Sequence, residues 1–251
     1  MARITEIAPD VFQITEFRPD INMQFSHFLV RDDQPLLFHA GYKRMYPQIR
    51  DAVATLIEPA RLRWISFSHF ESDECGAVNE WLAEAPQAEV ACSLIGAYVN
   101  LQDFAIRPPR PMMPDDVIDS GKYRFRYVTT KHVPHGWDSG VLFEETQRTL
   151  FSSDLFHQNG ELEPFTSDTV VDRVRETLRA IQQGPFAGYV PYNSDTDKVL
   201  HALAELQPAT IATQHGSAYV GDGAEALRQL ATVMREELGT PASSSQKSGA
   251  L

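Results

Sequence analysis

Four short apolar runs, scattered between residues 63 and 216, each stop at a histidine or a carboxylate. They are "RWISFSHFESDE", "RYVTTKHVPHG", "TLFSSDLF" and "TIATQHG". Runs of this length, bounded by polar and turn residues, read as buried strands. In α/β folds the strand ends are where loops converge and functional residues gather. A chain with four such ends, all carrying metal-ligand residue types, is restricted to folds that bring those ends together.

The first run is the most loaded. His69, Glu71, Asp73 and Glu74 fall within six residues. Carboxylates this close repel and desolvate poorly unless a cation lies between them, and one or two metal ions would serve. On an extended segment His69, Glu71 and Asp73 share one side, because the side-chain period is two. Glu74 then points elsewhere unless the chain has turned. Imidazole and carboxylate without thiolate favour Fe, Mn or Zn. Downstream, the candidates are His132 or His135, then Asp154, whose two oxygens can bridge two ions, then His215.

The rest of the chain supports a layered α/β sandwich in two similar halves, roughly residues 1–120 and 121–240. "DVFQITEF", "QFSHFLV" and "PLLFHAG" read as strands, and "YPQIRDAVATLI" as a helix with Ile49, Ala52, Val53 and Leu56 on one face. "RPPRPMMPDD" reads as a surface loop, since proline blocks helix interiors and central strands. "YRFRYVTT", "SGVLFEE" and "RTLFSSDLF" return to strands. The second half continues with helix "SDTVVDRVRETLRAIQQG", which starts at a Ser or Asp cap and stops at Gly184, strand "FAGYVPYN", helix "SDTDKVLHALAELQ", strand "ATIATQHG" and a last helix whose inner face is Leu227, Leu230, Val233 and Met234.

A net charge of −12 opposes binding to phosphate backbones, so a nucleic-acid partner is not expected. No apolar run reaches the ~20 residues a membrane span needs. The N-terminus carries charge throughout, so a cytoplasmic location is the simplest expectation. Cys75 and Cys92 cannot make a disulfide framework.

"SHFESDECGA" resembles the His-x-His-x-Asp-His signature of the metallo-β-lactamase fold. It is closer to the His-x-Glu-x-Asp variant of flavodiiron proteins and their stand-alone relatives, the oxygen-binding di-iron proteins. "HGWDSGVLF", "LFSSDLF" and "QHGS" resemble the later ligand strands of that family, and this alignment selects His135 over His132. The likeness covers residues 5–235. It implies a four-layer αββα sandwich over residues 1–238, with residues 239–251 a disordered tail. It also implies two iron ions, with zinc or manganese as alternatives. One would be held by His69, Glu71 and His135, the other by Asp73 and His215, with Asp154 between them. Two departures stand out. Glu74, also a candidate ligand, replaces a family histidine, and His39-Ala40-Gly41 replaces Asp-Thr-Gly.

The function so implied is binding of O2 or NO, with an oxidoreductase or sensing role. A flavodoxin domain would need roughly 150 further residues, so the expectation is a chain lacking one that either senses O2 and reduces it slowly or takes electrons from a separate donor protein; a homodimer is the expected assembly. The alternative is a metal-dependent hydrolase of an ester, thioester or phosphodiester. Glu71 discriminates, because zinc hydrolases of this fold place histidine there. His27, His157 and His201 read as ordinary structural histidines, and Cys75 as packing at a helix start. His39 and His132 read as structural residues near the site, and Trp137 and Tyr192 as pocket lining or core.

Overall fold

Strand residues alternate between two apolar destinations, as sheets buried on both faces require. The computed structural model describes residues 2–239, among which two seven-stranded sheets stand face to face. The tail expected to be disordered, from residue 240 onward, lies outside the described residues.

The first sheet runs in chain order: β1 (Arg3–Ala8), β2 (Val11–Arg18), β3 (Met23–Val30), β4 (Leu36–Phe38), β5 (Trp64–Ser66), β6 (Glu89–Ser93) and β7 (Arg110–Met112). β1 to β4 pair antiparallel, and β4 to β7 parallel. The parallel strands need crossovers, supplied by α1 (Tyr46–Ala54), the short α2 (Ser72–Cys75), α3 (Val78–Glu84) and a helical segment ending in α4 (Gln102–Phe104). The second sheet holds β8 (Val117–Asp119), β9 (Arg124–Thr129), β10 (Gly140–Glu144), β11 (Thr149–Ser153), β12 (Phe165–Thr166), β13 (Thr210–Thr213) and β14 (Ala218–Val220). Its order is β12-β14-β13-β11-β10-β9-β8, with β11 parallel to β13. Helices α5 (Val171–Gln183), α6 (Thr196–Glu205) and α7 (Gly223–Leu238) complete the chain.

Alternation sorts the apolar residues into three cores. Phe28, Phe38 and Trp64 meet Phe125, Leu142 and Phe151 between the sheets, with Phe38 and Phe151 ring centroids 5.3 Å apart. Their strand neighbours Leu29, Leu37 and Ile65 point outward onto Ile49, Val53 and Trp81. On the other side, Val141, Leu150 and Ile211 pack against Leu178, Leu203 and Leu230. The result is the four-layer αββα sandwich expected.

Two strand expectations fail. Part of "RPPRPMMPDD" is not loop: Arg110–Met112 forms β7, an edge strand. Pro111 is tolerated there because an edge residue can spare its donor. "FAGYVPYN" is not a strand but a series of turns. The place beside β11 is taken by β13, and Gly188 (φ +81°) turns the chain away. No helix among the described residues is long and apolar enough to cross a membrane.

Two backbone hydrogen bonds join the sheets at one edge. Gly140 N–H donates to Ser68 O (3.0 Å), and Ser26 N–H donates to Gln214 O (2.8 Å). The ends of β5, β11 and β13 and the β9–β10 connection all open onto this edge.

Candidate metal centre

β5 stops at Ser66, and the chain bends instead of staying extended. Glu71 is the residue before α2, at φ −128° and ψ 154°, and Asp73 sits in the first turn of that helix. Strand alternation therefore does not place His69, Glu71 and Asp73; a bend followed by a helical turn does. His135 lies in the β9–β10 connection. The next residue, Gly136, has φ +78°, and a Cβ there would stand 3.2 Å from His69 Cβ. Glycine thus lets this loop close onto His69. Asp154 follows a register shift at the end of β11, where Ser153 takes φ 54°. His215 follows β13 directly.

One ligand atom each from His69, Glu71, His135 and Asp154 lie within 4.8 Å of one another. His135 Nε2 is 3.2 Å from Glu71 Oε1 and 3.3 Å from Asp154 Oδ2. His69 Nε2 is 3.6 Å from Glu71 Oε1 and 3.7 Å from Asp154 Oδ2. The other oxygen, Asp154 Oδ1, faces His215 Nε2 at 3.1 Å, and His215 Nε2 is 3.6 Å from Asp73 Oδ2. His215 Nδ1 bonds to Gln24 O (2.8 Å); that contact makes Nδ1 the donor and Nε2 the nitrogen that takes up a proton or a metal ion. Buried His69 Nε2, His135 Nε2 and Asp154 Oδ1 lack hydrogen-bond partners. Orphaned buried donor atoms that face one another are what a bound cation satisfies, so these residues fit a metal.

Glu74 does not join them. Its Oε2 accepts from the N–H groups of Ser68 and His69, both at 2.8 Å. Its Oε1 accepts from the Ser68 and Ser153 hydroxyls and lies 3.3 Å from His69 Nδ1. It therefore sits behind the imidazole whose Nε2 faces Glu71 and Asp154. His39 Nε2 approaches the same oxygen at 3.4 Å. The two departures from the family pattern thus meet as one buried pair. In this structure the Glu74 carboxylate is taken up by the Ser68–His69 segment and Ser153 and lies behind His69.

Charge explains the protonation of these donors. Burial alone would depress His69, but Glu74, Glu71 and Asp154 outweigh it and hold the imidazole at about 10. Burial is likewise overcome at His215, which Asp154 and Asp73 hold at about 9. Burial, with the charge of Asp154, lifts Asp73 to about 7 against the pull of His215. Glu71 goes the other way: burial is outweighed by hydrogen bonds from His135 and His69, which take it to about 2. At pH 7 the metal-free His69 and His215 are therefore protonated, whereas coordination needs them neutral. Metal binding is expected to release roughly two protons and to weaken steeply as pH falls below 9, by up to ~100-fold per unit. Calorimetric titration in two buffers of different ionisation enthalpy measures that release; none would contradict the assignment.

Tyr189 is a residue the sequence did not reveal. Its hydroxyl donates to Glu71 Oε2 (2.8 Å), and its ring stands 4.2 Å from that of His135. It comes from the turns whose sequence resembles a strand, so no local pattern marks it. Gln214 is another, its amide donating to Asp73 Oδ2 (3.1 Å). His132 is exposed and closes a turn through its N–H to Gly136 O. His27 bonds to His39 O, and His201 is exposed. Cys75 is buried, its thiol donating to Glu71 O. Trp137 is exposed, and Tyr192 packs against the outer core of the second sheet. Glu71 is the most exposed of the four clustered residues. It opens, with Asp73, onto a cleft of about 950 Å³ lined also by Tyr42, Lys43, Arg44 and Phe70.

The family model described as ODP family beta lactamase matches residues 23–216. Among curated relatives, rubredoxin-oxygen oxidoreductase of Megalodesulfovibrio gigas is 23% identical over 78% of this chain and 49% of its own length. An anaerobic nitric oxide reductase flavorubredoxin of Aeromonas hydrophila is 23% identical over 82% of this chain and 42% of its own. The chain thus spans about half or less of these relatives. The solved flavodiiron protein of Giardia intestinalis superposes with a TM-score of 0.77 at 14% identity, covering 94% of this chain and 59% of the other. The likeness at that identity establishes the fold, which is the metallo-β-lactamase sandwich.

Proposed function

This chain belongs to the ODP family beta lactamases, and on that premise we propose that it is a non-haem di-iron protein that binds O2 or NO. Electrons for reduction would come from a separate donor protein. The observation that carries the reading is the donor set around Asp154: imidazoles and carboxylates, with Glu71 among them and no thiolate. Such a set suits Fe, Mn or Zn, and Glu71, standing where zinc hydrolases of this fold place histidine, favours iron. The names of the relatives, an oxygen oxidoreductase and a nitric oxide reductase, support the same substrate class.

His69, Glu71, His135 and Asp154 would hold one ion, and Asp73, His215 and Asp154 the other. Iron bound there would supply the redox chemistry for a diatomic molecule. The protein does the rest. Tyr189 fixes the outer oxygen of Glu71, and Glu74 fixes His69 from behind. The open cleft admits a small molecule to Glu71 and Asp73 and offers a rim where a donor can dock.

Metal analysis of protein grown in iron-replete and zinc-replete media tests this. About two iron ions per chain are expected under both conditions, with O2 uptake and a new near-ultraviolet or visible band when the reduced protein meets O2. Preferential zinc binding with turnover of ester substrates would replace the reading by that of a hydrolase.

A further inference from the structure

With Asp73 and His215 alone beside Asp154, the second metal position is poorer than the first. His69 and His135 face one oxygen of Asp154, with Glu71 beside them, whereas among the described residues His215 alone is paired with the other, with Asp73 beside it. Glu74 adds nothing there, because its carboxylate is committed behind His69. His157, an ordinary structural residue by sequence, has a different setting in the fold.

β11 ends in a tight turn. Ser153 and Phe156 take φ 54° and 66°, and His157 N–H donates to Asp154 O (3.1 Å). Asp154 and His157 therefore share one turn, and His157 lines the same small cavity as Asp154, His135 and Tyr189. Its Nε2 is buried and has no hydrogen-bond partner. Its ring centroid lies 4.7 Å from that of His215. This nearly repeats the first side, where the His69 and His135 rings are 4.4 Å apart. His157 thus stands beside His215 as His135 stands beside His69.

Resting on the di-iron reading, we propose that His157 is a protein ligand of the second metal position, joining Asp73, Asp154 and His215. It supplies from the β11 turn the imidazole that position 74 does not provide. A turn residue three places after the bridging Asp can do this because the left-handed step at Phe156 folds the chain back onto it.

Cobalt(II) titration of the full chain tests the proposal without relying on activity. The wild type is expected to bind two ions. The Co(II)-loaded protein should show four exchangeable, hyperfine-shifted imidazole N–H resonances, from His69, His135, His157 and His215. In His157→Gln one resonance and one tightly held ion should be lost, the second ion binding at least tenfold more weakly, and added imidazole should restore it. Three resonances in the wild type, or a His157→Gln protein that binds both ions as tightly as wild type, would overturn the role of His157 and leave the di-metal reading intact. A wild type that binds fewer than two ions would overturn both. The resonance count uses the unmodified chain, so it decides the matter even if the variant fails to fold.

Discussion

Asp154→Ala is expected to empty both metal positions at once. It is the one side chain whose two oxygens face opposite histidines, Oδ2 toward His69 and His135 and Oδ1 toward His215. Loss of even an outer partner of a ligand costs 10- to 100-fold in affinity, and loss of a shared ligand should cost at least the upper end of that range for both ions. Dialysed protein should retain essentially no metal, as elemental analysis would show. Substitution at His69, which faces only one oxygen, should spare the other position. The metal-free fold should survive the change, because His215 can shed its proton. Its place at about 9 depends on Asp154, and without that carboxylate it falls toward neutrality and leaves no stranded charge. Retention of one ion by Asp154→Ala would show that Asp154 is not shared.

Glu74→Ala should be the most damaging single change to the metal-free protein. Four donors, the Ser68 and His69 amides and the Ser68 and Ser153 hydroxyls, converge on this carboxylate in the interior. Each buried donor left unsatisfied costs about 1–3 kcal/mol, and removing one partner of a buried charged network about 3–5 kcal/mol. Unfolding stability should therefore fall by about 3–5 kcal/mol, read from denaturant titration. Glu74→Gln should cost about 1 kcal/mol, since the amide oxygen can take the two backbone donors and serine hydroxyls accept as readily as they donate. Both metal ions should remain in that variant. Its selective loss of one ion would make Glu74 a ligand after all. Glu74→His, attractive from the family pattern alone, should not build a better second position; it would strip the His69 loop of its acceptors.

The sheet architecture was legible because alternation in runs such as "PLLF" and "TLFSS" sends successive residues to different cores, and that pattern is local. The strand-end residues were legible for the same reason: His135, Asp154 and His215 each follow an apolar strand or its turn. Glu74 was not separable from Asp73 in sequence, since its direction depends on where α2 begins, and α2 begins at a bend that no periodicity records. Tyr189 was invisible because its contact with Glu71 crosses more than a hundred residues and its own segment has no regular structure. His157 looked ordinary because the left-handed Phe156 that turns it back is not a residue type that announces such a conformation. The edge strand at Pro111 shows the converse: proline marked a break in pairing on one side only.

The two hydrogen-bonded stitches between the sheets, at Ser68 and Gln214, carry a mechanical consequence. His69, Glu71 and Asp73 belong to the first half of the chain, and His135, Asp154 and His215 to the second. An ion gripped from both sides is a rivet through the seam, so neither half can loosen without surrendering it. Whatever free energy loading contributes is then shared by the entire molecule. Metal supply would govern how long the whole chain endures, not merely whether one corner of it is ready for chemistry.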